Sequence, residues 1–149
     1  MSVPNEARVV TKLNALTEAR KLVKHSLRNL ANGKVFKAAP SGDEEDDRKN
    51  PPQPELISKM RETVLDAYLS ASSANDTPFT RDNYRHRRQL QDKSIARLNE
   101  MKALVELAVP VFHLPLRRAS YWISCIESVR NRIQKWKESD YKRYKRMAG

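Results

Sequence analysis

The chain has 149 residues, enough for one domain with a hydrophobic core, but only 39% of them are hydrophobic and the mean hydropathy is -0.77. Three glycines are too few for the turns of a sheet protein of this size, so the composition favours helices. The 29 Lys and Arg residues exceed the 18 Asp and Glu residues, and the resulting charge of +11 favours a nucleic-acid partner over a merely solvated basic surface.

The first predicted helix covers residues 5–32. Apolar residues recur there at helical spacing, and Asn32-Gly33 provides a stop signal because glycine readily takes the left-handed conformation at a helix end. The following segment, residues 39–54, reads APSGDEEDDRKNPPQP. Its five consecutive acids and its prolines predict a mobile linker that holds no packed element. A second interpretation is that the acids shield the basic surface.

Three more helices follow the linker. The second covers residues 54–74, and the third covers residues 81–112 with Thr80 as its N-cap. Pro110 should kink or end the third helix because proline removes a backbone donor. The fourth helix begins at Pro115 or Leu116, and residues 138–149 form a basic tail. The short final connections predict a single all-α domain, residues 1–149, folded as an antiparallel up-down four-helix bundle.

The first and fourth predicted helices carry most of the excess positive charge, and the second is acidic. Clustered Lys and Arg side chains bind phosphates with little sequence selectivity. Tyr141 and Tyr144, which alternate with the last cations, either stack on unpaired bases or pack on the bundle. The candidate nucleic-acid-binding residues are Arg20, Lys21, Lys24, Arg28, Arg87, Arg88, Arg117, Arg118, Arg130, Arg132, Lys135, Lys137, Lys142, Arg143, Lys145 and Arg146.

The sequence offers no constellation for catalysis. His25, His86 and His113 are far apart, and none has a partner at the spacing of metal ligands. Cys125 lies between Ile123 and Ile126, which is typical of a buried structural thiol rather than a nucleophile. We therefore predict a protein that is not an enzyme and that uses no metal or cofactor.

Cysteine usage and hydropathy indicate the compartment. The single cysteine excludes an internal disulfide and fits a reducing environment. No stretch approaches the about 18 apolar residues of a membrane span, and the N-terminal residues MSVPNEARVV lack the core of a signal peptide. We expect a cytoplasmic protein without a membrane partner.

The stretch LNEMKALVELAVPVFHLPLRRASYWISCIESVRNRIQKWKESDYKRY resembles a bacterial four-helix-bundle family. This family contains the accessory variability determinant proteins of diversity-generating retroelements and the proteins encoded in intervening sequences of large-subunit ribosomal RNA genes. The shared features are the apolar LVELAVPVF, the Tyr121-Trp122 pair, the spacing of Val129 and Ile133, and Trp136 before a Lys-x-Ser-Asp segment. The stretches KLVKHSLRNLANGKVF and ELISKMRETVLDAYLSASSAND extend the likeness more weakly.

The resemblance implies a homopentameric barrel with a basic surface. For the retroelement members it implies a complex with the reverse transcriptase and its template RNA or DNA, in which the accessory protein supports mutagenic cDNA synthesis during retrohoming. We expect this role for the chain. The alternative is an intervening-sequence type of basic bundle that acts as a protein-interaction scaffold.

Overall fold

Five helices form in the part of the chain that the computed structural model describes, which is the backbone of residues 5–148 and the side chains of residues 15–147. The helices are α1 (Asn5–Leu30), α2 (Glu44–Lys49), α3 (Pro54–Asp76), α4 (Tyr84–Phe112) and α5 (Leu116–Ala148). The prediction of an all-α protein is confirmed.

The four long helices pack side by side around one core. The principal contacts join α1 to α3, α3 to α4, α4 to α5, and α5 back to α1. Neighbouring helices run in opposite directions: Ser94 donates a hydrogen bond to the backbone oxygen of Ala67 at 2.7 Å, while the later Arg97 reaches the earlier Asp66 at 2.9 Å. This arrangement follows from the short connections on either side of α4.

The core consists of apolar residues spaced three and four apart on each long helix, as the sequence pattern predicted. Its members include Ala15, Leu16, Ala19 and Leu22 of α1, Ile57, Met60, Val64 and Ala67 of α3, Leu98, Met101, Val105 and Ala108 of α4, and Trp122, Ile126, Val129 and Ile133 of α5. Trp122 is fully buried, and its indole N–H donates to the hydroxyl of Ser26 at 2.9 Å.

Helix α2 is a regular element within the acidic segment, which was predicted as a mobile linker without a packed element. The Asp43 carboxylate caps α2 by accepting the backbone N–H groups of residues 45 and 46, at 3.0 and 3.2 Å. Lys37 pairs with Asp46 at 2.9 Å and also with Asp47. Lys37, followed by the N–H of Ser41, lowers the pKa of Asp47 to about 2. Since α2 buries no residue, capping and ion pairs hold it where a hydrophobic core does not.

The start of α4 differs from the prediction, whereas its end at Phe112 agrees with it. Thr80 accepts the N–H of Asn83 at 3.1 Å and so caps a turn before the helix, whose own N-cap residue is Asn83. The helix continues through Pro110 to Phe112, where His113 ends it in the left-handed conformation at φ 55°. Because Pro110 lies in the last turn, only one backbone hydrogen bond is lost there.

A buried ion pair joins α4 to α5 at the end of the molecule where α3 turns into α4. Arg87 donates from Nε to Oδ2 of Asp140 at 2.6 Å, and the two side chains are 5% and 3% exposed. The amide of Gln91 donates to the same oxygen at 2.9 Å. Arg87 also donates from Nη1 to the backbone oxygen of Thr77 at 2.9 Å. The guanidinium therefore ties three segments of the chain together.

Aromatic rings surround this ion pair and involve the last turns of α5. Tyr84 stacks on Tyr144 with centroids 3.9 Å apart and planes 7° apart. The guanidinium of Arg143 lies 3.6 Å from the ring centroid of Phe79. The segment predicted as a separate basic tail therefore continues α5 as far as Ala148 and packs against the α3–α4 connection. Of the two readings of Tyr144, this geometry matches the packing one.

We predict that Asp140→Ala destabilises the protein by about 3–5 kcal/mol, because it leaves the buried Arg87 without a counter-ion. The control is Asp92→Ala, which removes a half-exposed carboxylate from its pair with Lys137 and should cost less than about 1 kcal/mol. Urea unfolding followed by circular dichroism measures both values. Equal losses from the two variants would contradict a dominant role for the buried pair.

Candidate nucleic-acid interface

Several cations at the contacts of α4 with its neighbours are neutralised by acidic side chains. These ion pairs cross the α3–α4 and α4–α5 contacts, where helical spacing brings opposite charges together. The pairs are Lys93–Asp66 at 3.6 Å, Arg97–Asp66 at 2.9 Å, Lys102–Glu127 at 3.4 Å and Lys137–Asp92 at 2.5 Å. These pairs reduce the unbalanced positive charge on this side of the molecule, where Arg88 and Arg130 bond neutral groups instead.

The outward surface of α1 and α5 carries exposed cations that lack an acidic partner among the described side chains. Eight of them are exposed and make no ion pair with any side chain among residues 15–147, and we call this set the basic face. The basic face consists of Lys24, Arg28, Arg117, Arg118, Lys135, Lys142, Lys145 and Arg146. The acids beside it are Glu18, which pairs with Lys21 at 3.2 Å, and Glu138. The face therefore keeps most of its charge.

The shape of the basic face suits a linear polyanion. On α5 its cations form one group at Arg117 and Arg118 and a second from Lys135 to Arg146. Arg117 and Arg146 are separated along the helix by roughly 44 Å at about 1.5 Å per residue. One turn of B-DNA measures about 34–36 Å. Because α1 packs alongside α5, Lys24 and Arg28 extend the face sideways. A nucleic-acid strand that follows α5 would therefore place several of its phosphates near these cations.

Four of the predicted binding residues lie at the α4–α5 contact instead. Arg87 is buried by the ion pair described above, so its assignment as a phosphate ligand is corrected. Lys137 is 18% exposed and pairs with an acid of α4. Arg130 donates to an asparagine of α4 at 3.1 Å, and Arg88 donates to the hydroxyl of Tyr84 at 3.1 Å. Sequence spacing did not reveal which cations acquire partners from a neighbouring helix.

The remaining predicted residues lie beside the basic face. Arg20 donates from Nε to the hydroxyl of Tyr68 at 3.1 Å, on the α3 side of α1. Lys21 is exposed next to its partner Glu18. Arg132 is half-buried, and its Nε makes no hydrogen bond within the described part of the chain. Arg143 covers the Phe79 ring, as noted above.

A groove of about 280 Å³ opens between α1 and α5 within the basic face. It is lined by Glu18, Lys21, Leu22, His25, Tyr121, Ser124, Cys125, Ser128 and Val129. Tyr121 is 61% exposed, although its ring contacts that of His25 in a T-shaped arrangement with centroids 5.3 Å apart. Tyr121 is not among the ligands predicted from the sequence. Its spacing of four and three residues from Arg117 and Arg118 was the available signal.

Two groups in the groove have shifted pKa values. Burial, and then the nearby charge of Arg28, lowers the pKa of His25, so its ring is neutral at pH 7. Asn29 lies 3.0 Å from Nε2 of His25, which fits an amide donor and a neutral ring acceptor. Cys125 raises the pKa of Tyr121, whose phenol is therefore also neutral. Cys125 itself is half-buried rather than fully buried.

Within residues 5–148, no helix is long and apolar enough to cross a membrane. No group of three or more His, Cys, Asp or Glu side chains with metal-site geometry occurs in the described part of the chain. Comparisons with protein-family models, curated proteins and solved structures found no match to the chain. The family resemblance stays a prediction, and the functional assignment depends on the geometry of the basic face.

Proposed function

We propose that this protein is a non-enzymatic nucleic-acid-binding protein whose binding surface is the basic face of α1 and α5. The observation that carries the proposal is the unequal pairing of charge. The eight cations of the basic face have no acidic partner among the described side chains, unlike the cations of the four ion pairs at the contacts of α4. Like charges held together repel one another, and a phosphate backbone relieves that repulsion.

Binding of this kind has a recognisable signature. Each neutralised phosphate releases condensed counter-ions, so affinity falls steeply as salt rises. Contacts to phosphates position the nucleic acid without reading its sequence. We therefore expect tight binding at low salt with weak sequence selectivity.

We predict that the double variant Arg117→Glu, Arg118→Glu loses affinity for a labelled RNA and shows a salt dependence shallower by about 1.4 in log–log slope, the amount for two phosphates of a single strand. The matched control is Lys59→Glu, Arg61→Glu on α3, which changes the net charge equally at exposed positions outside the basic face. Fluorescence anisotropy at several salt concentrations measures both. Equal losses from the two doubles would mean that the cations of the basic face are only solvated.

The finer proposal concerns the biological partner. The resemblance described above supports an accessory subunit of a diversity-generating retroelement, which binds the reverse transcriptase together with its template RNA. The basic face supports the RNA contact in this proposal, and the enzyme supplies the chemistry of mutagenic cDNA synthesis. The alternative, a protein-interaction scaffold of the intervening-sequence type, requires no RNA contact.

We predict that the protein co-purifies with a reverse transcriptase of such an element and increases template-primed cDNA synthesis by that enzyme. The Arg117→Glu, Arg118→Glu variant should lose the stimulation, and the Lys59→Glu, Arg61→Glu variant should keep it. Synthesis that does not change when the protein is omitted, with no complex at moderate salt, would support the scaffold alternative.

We also propose that the four long helices constitute an up-down four-helix bundle that assembles into a homopentamer. The resemblance supports this, and so do leucines that the single chain leaves exposed: Leu69 at 57%, Leu107 at 46% and Leu116 at 72%. Burial of such side chains between subunits would stabilise an oligomer.

For this oligomer we predict a mass of about 86 kDa by light scattering at micromolar concentration, which is five times the chain mass of 17.2 kDa. The sample is treated with nuclease first, because bound nucleic acid would add to the measured mass. A mass near that of one chain would rule out the pentamer.

A further inference from the structure

We infer that the groove between α1 and α5 holds one unpaired nucleobase, stacked on Tyr121, so that the basic face prefers single-stranded nucleic acid to duplex. This inference rests on the proposed function and adds the class of nucleic acid. It starts from an exposed aromatic ring inside a cationic surface. Aromatic side chains interleaved with cations are how single strands are bound without sequence selectivity.

The position of Tyr121 among the cations supports a base at this point. Arg117 and Arg118 precede it by about one helical turn on α5. On α1, Arg28 lies close enough to His25 to lower the pKa of that ring, and His25 contacts Tyr121. Phosphates on either side of a base stacked on Tyr121 would therefore lie near cations from both helices.

The Tyr121 ring is supported from within the protein. The His25 ring is nearly perpendicular to that of Tyr121, at 82°, and the same imidazole meets the buried Trp122 at 90° with centroids 6.1 Å apart. Trp122 is anchored in turn by its hydrogen bond to Ser26. Because the contact with His25 leaves 61% of Tyr121 exposed, part of its ring surface remains open to a ligand ring.

The groove has the size and polarity for the edge of one base. Its volume of about 280 Å³ lies just below the pockets of about 300 Å³ and more that hold drug-sized ligands. Ser128 and Lys21 line it and supply donors, while Glu18 and the hydroxyls of Ser124 and Ser128 supply acceptors. Such mixed groups bond the edge of a base in unpaired RNA.

Duplex nucleic acid cannot use this groove. Its bases stack on one another and pair within the helix, so no base face is free to cover Tyr121. A duplex would still contact the cations through its phosphates. The groove therefore adds affinity for single strands alone, and Tyr121 separates the two kinds of ligand.

The test uses the full chain with three variants: Tyr121→Ala, Tyr121→Phe and the control Tyr141→Ala. Tyr141 is also exposed, at 44%, and lies beside the cations Arg88 and Lys145, but it does not line the groove. Affinity is measured for a labelled single-stranded RNA and for a hairpin duplex of similar charge. A second readout is the fluorescence of 2-aminopurine placed in the single strand, which is quenched by stacking.

We predict that Tyr121→Ala weakens single-strand binding by about 5- to 150-fold, the effect of losing one base–aromatic stack. Duplex binding should change less than about twofold by the same reasoning, the quenching should disappear, and Tyr121→Phe and Tyr141→Ala should behave as the parent protein. Unchanged single-strand binding in Tyr121→Ala, or an equal loss for the duplex, would overturn the inference.

The same titrations separate this inference from the proposed function. If Arg117→Glu, Arg118→Glu weakens binding while Tyr121→Ala does not, the basic face binds nucleic acid and only the base-stacking site is wrong. If the parent protein shows no salt-dependent binding to the single-stranded RNA or to the duplex, the proposed function is wrong, and the inference is wrong with it.

Discussion

Ion pairs between α4 and its two neighbours decide where the positive charge of this protein remains. The acids of α3, α4 and α5 meet cations across these contacts, from the exposed Lys93–Asp66 pair to the buried Arg87–Asp140 pair. Exposed pairs add little stability individually, but their effect on the electrostatic field is large. By neutralising cations at the contacts of α4, they leave the outward surface of α1 and α5 with the eight cations of the basic face, which are unpaired within the described part of the chain.

The buried Arg87–Asp140 pair links this charge distribution to the fold. Its desolvation is offset by hydrogen bonds from Gln91 to the carboxylate and from the guanidinium to the α3–α4 connection. The pair therefore holds the last turns of α5 against α4 and positions the C-terminal cations Lys142 and Arg146 on a rigid helix. A rigid row of cations loses less conformational entropy on binding than a mobile tail would.

The groove beside Tyr121 has a different physical basis. The basic face binds any phosphate backbone, whereas the exposed ring of Tyr121 favours nucleic acids whose bases are unpaired and free to stack. The supporting residues reach from the groove into the core through His25 and Trp122. Core packing thus keeps the ring exposed in one orientation, which links the stability of the α1–α5 contact to recognition.

The sequence alone determined the helices and the core, because apolar residues spaced three and four apart allow only a helix with one buried side. It also determined the excess of positive charge on the first and last long helices. The tertiary structure decided which cations stay unpaired, since Arg130 and Lys137 acquire partners from α4, and Arg87 of α4 acquires one from α5, all distant in sequence. It likewise decided the formation of α2, because the chain turns after Lys37 and brings Asp46 back to pair with it. Pairing across helices depends on the relative position of the helices, which cannot be read from the composition.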